Sequence, residues 1–195
     1  MTKLGIFGGT FNPIHHGHLF IAETVLEKTD IDQVIFIPSA NPPHKPQQNI
    51  ISFEHRWNML NLAISGHPHF LSNDIEHKLG GISYTVQTLD ALKKKYADSE
   101  IYLIIGSDSL AALQTWKDPD RLIGMTQFIV FPRSYTDAAR TEKRFLDRSF
   151  FLEVPLVSIS SSDIRSRVAH GEFIGGMLPE KVEQYITENK LYLLN

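Results

Sequence analysis

Four short runs in this chain are apolar almost throughout: Lys3 to Phe7, Gln33 to Ile37, Ile101 to Ile105 and Phe128 to Phe131. A strand with one face in water alternates apolar and polar residues, so a strand without a polar face has both faces covered. The stretches between these runs carry helical periodicity. Leu19, Ala22, Val25 and Leu26 recur on one face of the first, with Glu23 and Glu27 on another. Phe53 to Ile64 reads as a second helix, and Tyr84 to Tyr96 as a third with Val86, Leu89 and Leu92 as its buried stripe. Strands of this kind separated by helices predict an α/β fold, a doubly wound parallel sheet with helices on both faces. At 195 residues the expectation is one domain spanning 1–195. Three segments read as irregular: the proline-rich loop Pro38 to Ile50, the charged surface excursion Pro132 to Ser149, and Pro155 to Ser162, which runs into a helix through closely spaced serines.

Composition removes several classes of function. A net charge of −3 and a pI near 6.3 oppose a nucleic-acid binder, which needs basic excess to neutralise phosphates. No apolar run is long enough to cross a bilayer. Cysteine is absent, which removes disulfides, thiolate metal sites and cysteine nucleophiles. Met1-Thr2-Lys3-Leu4 passes directly into a glycine-rich motif, leaving no room for a signal peptide, so a soluble cytoplasmic protein is expected.

That motif is Gly8-Gly9-Thr10-Phe11-Asn12-Pro13-Ile14-His15-His16-Gly17-His18. Glycines let the backbone turn sharply off the strand and approach a ligand. The following helix begins near Gly17, so its unpaired N–H groups and positive dipole end face whatever occupies the turn, as a phosphate site requires. His15 and His18, three residues apart, could reach one phosphate from two sides, donating hydrogen bonds and, if protonated, positive charge. The pattern is neither a Walker loop nor Gly-x-Gly-x-x-Gly. A tight turn with solvated histidines, or a transition-metal site, are the alternatives. In an open parallel sheet ligands collect beyond the carboxyl ends of the strands, so Gly8-Gly9, the Pro38 loop and Gly106-Ser107-Asp108 should converge on one crevice.

Gly-x-Phe-x-Pro-x-His-x-Gly-His resembles the signature of the His-x-Gly-His nucleotidylyltransferase superfamily, and Ile159-Ser160-Ser161-Ser162-Asp163-Ile164-Arg165 is similar to its second element. Pro38-Ser39-Ala40-Asn41-Pro42-Pro43-His44-Lys45, Gly81-Ile82-Ser83-Tyr84-Thr85, Ile105-Gly106-Ser107-Asp108 with Trp116, and the ending from Leu178 to Tyr192 resemble the bacterial nicotinate-mononucleotide adenylyltransferases within it. The resemblance covers nearly the whole chain. It implies a Rossmann-like fold with a small C-terminal helical part, and transfer of the adenylyl group of ATP to nicotinate mononucleotide, giving deamido-NAD and pyrophosphate.

Carried over by residue, the resemblance gives Gly8, Gly9, Thr10, Phe11, His15 and His18 to the ATP phosphates, with the two histidines stabilising the transition state. Ile159, Ser160 and Arg165 would hold adenine and phosphates, and Asp108, after Gly106, the ribose hydroxyls. Ser39, Asn41, His44 and Lys45 fall to the acceptor and phosphate side, and Ser83, Tyr84, Thr85 and Trp116 to the pyridine pocket. Without the resemblance, Trp116 fits a core aromatic, Asp108 a helix cap, Thr85 a buried hydroxyl and Lys45 a solvated charge. Mg²⁺ is expected to ride on the ATP phosphates, with no protein metal site. Nucleic-acid and membrane partners are not expected, and a homo-oligomer stays open. Asn12 stands where the family more commonly has Asp, and Ser162 where Thr is usual. His55, His67, His69, His77 and His170 read as structural or surface residues. Competing readings are the same chemistry on nicotinamide mononucleotide, phosphopantetheine or a polyol phosphate, a non-catalytic adenine-nucleotide sensor, and a metal-binding protein using His15, His16, His18 and His44.

Overall fold

A computed structural model describes residues 1–42, 50–133 and 141–194. Six parallel strands form one sheet in the order β3-β2-β1-β4-β5-β6. They are β1 (Thr2–Gly9), β2 (Gln33–Pro38), β3 (Phe70–Ser72), β4 (Ser99–Gly106), β5 (Gln127–Phe131) and β6 (Ser149–Phe151). The register sets Ile6 of β1 between Ile35 of β2 and Leu103 of β4.

Alternation along each strand sorts the apolar side chains into two cores. Leu4, Ile6, Ile35, Ile37, Leu103, Ile105, Phe128 and Val130 point to one face, and Phe7, Val34, Phe36, Ile104, Ile129 and Phe131 to the other. The second face is covered by α1 (His16–Lys28), α2 (Phe53–Ile64), α8 (Ser161–Ala169) and α9 (Glu180–Glu188). The first is covered by α4 (Thr85–Lys95), α5 (Ser107–Ala111), α6 (Pro119–Met125) and α7 (Lys143–Leu146). A five-residue helix, α3 (Ile75–Leu79), follows β3. This is the doubly wound Rossmann-like arrangement expected, and α1 buries Leu19, Ala22 and Val25 while α4 buries Val86, Leu89 and Leu92. The α8–α9 region supplies the C-terminal helical part.

One expectation needs correction. The 132–149 segment is not wholly a surface excursion, because α7 places Phe145 in the core at 1% exposure and β6 begins at Ser149. The short helix carries a single buried residue, too few for a periodic signal.

Arg56 of α2 is 1% exposed and bridges the exits of β1 and β2. Its Nη1 donates to the carbonyls of Thr10 (2.9 Å) and Ser39 (2.8 Å), and its Nε to that of Ile51 (3.2 Å). Burial lowers its pKa, and Glu76, Glu54 and Tyr192 oppose that shift. Arg56→Met relieves the desolvated charge but strands three carbonyls, so a net loss of about 3 kcal/mol is expected in urea unfolding. Arg56→Lys should recover little of it, since a single ammonium cannot reproduce the fork. An unchanged urea midpoint in Arg56→Met would show that the staple contributes nothing.

Candidate active site

The strand order reverses direction between β1 and β4, and ligands of such sheets bind outside the carboxyl ends at that point. A cleft of about 670 Å³ lies there. It gathers Gly8, Gly9, Thr10, Phe11, His15, His18, Ser39, Ser83, Tyr84, Thr85, Gly106, Asp108, Trp116, Ile159, Ser160 and Arg165 from segments far apart in sequence. Asn41 is outside the lining but tied to it through Ser83, and His44 and Lys45 fall outside the described residues.

One end gathers backbone N–H groups, imidazoles and a guanidinium. A Cβ on Gly8 would meet nothing within 4 Å, so bare backbone faces open space there. At Gly9 a Cβ would lie 2.9 Å from the Phe11 ring, which packs across the turn. That ring is 2% exposed and edge-on to both Phe7 and His18, so Phe11 buttresses the histidine with its side chain. The helix starts one residue earlier than Gly17, with His15 as its N-cap. The His15 and His18 rings stack at 3.7 Å. The His15 backbone N–H donates to His18 Nδ1 at 3.3 Å, so a neutral His18 carries its proton on Nε2. His15 is 4% exposed, and its Nδ1 has no hydrogen-bond partner. Burial, with smaller contributions from Arg133 and His16, pushes its pKa down to about 4. In the free protein it therefore acts as a neutral imidazole and not as the positive charge its sequence context allowed.

The second helix N-terminus at this end is that of α8. Ser160 caps it, accepting from the Asp163 N–H at 3.1 Å, and Ser161 donates to the Pro13 carbonyl at 2.8 Å. Arg165 donates to the Asn12 carbonyl at 2.9 Å and to Ser162 at 3.3 Å, fixing its guanidinium beside the histidine turn. Asn12 is buried, and its Oδ1 accepts from the Tyr192 hydroxyl at 3.0 Å. An amide thus stands comfortably in that position, because the role seen there is accepting a hydrogen bond. Asp108 is exposed on the cleft wall in the first turn of α5 and does not cap it.

The other end is walled by Tyr84, Thr85, Thr88 and Trp116. Trp116 is half-buried and serves both core and cleft. Thr85, the first residue of α4, is half-buried rather than a core hydroxyl. The Ser83 hydroxyl accepts from the backbone N–H groups of Ala40 and Asn41, each at 3.1 Å.

The family model described as Cytidylyltransferase-like matches residues 6–167. A Clostridium acetobutylicum protein named as a nicotinate-nucleotide adenylyltransferase is 40% identical over 99% of this chain and 100% of its own length. Its counterpart by name in Thermomicrobium roseum is 41% identical over 98% of this chain and 92% of its own. The chain belongs to the nicotinate-nucleotide adenylyltransferase family. A Plasmodium falciparum nicotinic acid mononucleotide adenylyltransferase complexed with NaAD has the same fold, with a TM-score of 0.81 at 20% identity over 98% of both chains.

Several cleft residues escape sequence reasoning in this family member. Arg133 follows β5 as Asp108 follows β4, and a basic residue just past a parallel strand was the available signal. Lys117 lies beside Trp116 and holds its ammonium 4.5 Å above the Tyr84 ring. Glu76 and Thr88 join the cleft through helix packing that leaves no local pattern. Among the described residues no group of three or more His, Asp or Glu side chains is placed to hold a metal ion.

The depressed His15 pKa has a signed consequence. Between pH 6.5 and about 4 the unfolded chain binds a proton at His15 that the native state refuses, so stability falls as pH drops through that window and levels off below it. The loss attributable to His15 is about 3 kcal/mol. Glu76, whose pKa burial raises, acts in the opposite sense, its contribution being lost as pH rises through its folded value. Urea midpoints should therefore fall more steeply between pH 6.5 and 4 in the native sequence than in His15→Gln. Parallel profiles for the two would refute a buried neutral His15.

Proposed function

We infer that this protein transfers the adenylyl group of ATP to nicotinate mononucleotide, producing deamido-NAD and pyrophosphate. One observation carries the reading: two helix N-termini, two histidines and Arg165 meet at one end of a cleft whose other end is walled by aromatic rings and the start of α4. The relatives that match along nearly the whole chain are named for that reaction.

The acceptor phosphate is already ionised at neutral pH, so it attacks the α-phosphorus in line without a general base. The obstacle is bringing a dianion against a triphosphate, and catalysis is then positioning with electrostatic neutralisation. His18 Nε2–H and the His15 ring would donate to oxygens gaining charge, while Arg165, Arg133 and the N–H groups of α1 and α8 hold the departing pyrophosphate. The Asp108 carboxylate would accept from ribose hydroxyls. Ser39 and Asn41 belong to the acceptor side, with His44 and Lys45 assigned there from sequence. Mg²⁺ bound to the triphosphate would add charge neutralisation, carried by phosphate and water oxygens. The ring carboxylate of the acceptor would meet the N–H groups opening α4, with the Lys117 charge nearby. No described helix is long and apolar enough to cross a membrane, and a cytoplasmic enzyme fits these substrates.

Removing one preorganised donor of this kind typically costs ~10²–10³ in turnover. His18→Ala should fall by that range in pyrophosphate release while its urea midpoint moves little; near-full activity would refute the mechanism. Nicotinate mononucleotide should be strongly preferred over the nicotinamide form, and Lys117→Met should narrow the gap several-fold, roughly 1 kcal/mol of lost charge attraction. Equal use of both acceptors by the native enzyme would remove the carboxylate-recognition argument.

A further inference from the structure

The chain returns to the histidine turn near its far end, through a residue that the mechanism does not use. Tyr192 lies 180 residues beyond Asn12 and donates its hydroxyl proton to Asn12 Oδ1 at 3.0 Å. It is half-buried and packs against the core on the α1 side of the sheet. Asn12 itself is 3% exposed, so its amide oxygen cannot turn to bulk water for a substitute donor.

The backbone marks this placement as strained. After α9 the Lys190 N–H donates to the Thr187 carbonyl at 3.2 Å and the Leu191 N–H to that of Ile186 at 3.0 Å, a Schellman turn. Such a turn requires left-handed backbone at Lys190, whose φ is 51°. Tyr192 is left-handed as well, at φ 63°, and no helix end accounts for it. A bulky side chain in that region costs free energy and persists where its surroundings hold it. The bond that holds this one is the bond to Asn12.

Asn12 in turn holds Arg165. The Asn12 carbonyl accepts from Arg165 Nη1 at 2.9 Å, while Nη2 donates to Ser162 at 3.3 Å. The Ser162 bond lies within α8, so the Asn12 carbonyl is what ties the guanidinium to the histidine turn. Pro13, which follows, limits the rotation open to Asn12, so its side chain and carbonyl move together.

We propose that Tyr192 is a positioning residue: by fixing the Asn12 side chain it fixes the carbonyl that orients Arg165 toward the triphosphate. This rests on the reading of that end of the cleft as the phosphate end.

The test is a double-mutant cycle in the full chain, using Tyr192→Phe, which removes one oxygen and keeps the ring, Arg165→Met, and the pair together. Each variant is assayed for KM toward ATP and toward nicotinate mononucleotide. Tyr192→Phe should raise the ATP KM roughly tenfold and leave the acceptor KM within about twofold. In the Arg165→Met background the same change should move the ATP KM by less than about twofold, because the group it acts through is gone. A second readout needs no substrate: NMR line shapes of the Arg165 guanidinium report rotation about its Nε–Cζ bond, which should quicken in Tyr192→Phe. Additive losses, equal rises in both KM values, or unchanged rotation would overturn the proposal. If Tyr192→Phe does not fold, Asn12→Ala removes the same bond and keeps the carbonyl. Failure of the native enzyme to use nicotinate mononucleotide would sink the proposed reaction, while the guanidinium rotation would still decide the role of Tyr192.

Discussion

A fully desolvated guanidinium is among the costliest groups to bury, and Arg56 is kept only because three carbonyls receive its hydrogens. Two of those carbonyls, Thr10 and Ser39, belong to the residues that follow β1 and β2, and both residues line the cleft. Strand exits of a parallel sheet leave carbonyls pointing past the last ladder bond, where no neighbour accepts responsibility for them. Here one side chain satisfies both and fixes their separation. The glycine turn that presents Gly8 to the cleft therefore has a rigid base, although it contains residues that would otherwise be free to move.

The turn is held on its other side by the C-terminal quarter of the chain. Ser161 reaches the Pro13 carbonyl, Arg165 the Asn12 carbonyl, Tyr192 the Asn12 amide, and the His16 N–H donates to the Met177 carbonyl at 2.9 Å. Arg165 does two things at once. One arm is committed to the backbone, so the guanidinium arrives at the cleft already oriented, and no binding energy is lost in ordering a long side chain. Burial of the Tyr192 hydroxyl raises its pKa, which keeps it a hydrogen-bond donor to Asn12 throughout the physiological range.

The sheet was readable because its strands are apolar on both faces, a pattern that only a covered parallel sheet satisfies. What escaped was short: β3 and β6 are three residues each, α3 and α5 five, and none is long enough to show a period. The same division holds in the cleft. Gly8-Gly9, His15, His18 and Arg165 lie in contiguous motifs whose spacing means something before folding. Glu76, Thr88 and Lys117 acquire their positions only when α3, α4 and the turn after Leu113–Thr115 pack together, and nothing local marks them. Ser83 shows the limit from the other direction, since its segment lines the cleft while the bonds its hydroxyl accepts from the backbone of Ala40 and Asn41 have no mark in the sequence.

The charge state of the histidine pair follows from the same packing. A site for a triphosphate would gain most, in simple Coulomb terms, from two imidazolium rings, yet His15 is buried against a stacked neighbour and near the Arg133 guanidinium, which favours the neutral ring. A neutral donor has an advantage that a cation lacks: it binds the ground-state phosphates less tightly, and its hydrogen bond strengthens as charge accumulates on the oxygens it faces. Arriving phosphates also pull the imidazole pKa upward, so a proton can be drawn onto the pair as the anion enters. On the proposed mechanism, long-range attraction would rest with Arg165, Arg133 and the two helix termini, while the histidines would respond to the charge that develops during transfer. The fold separates the two tasks by depth, with the arginines toward the surface and His15 in the core.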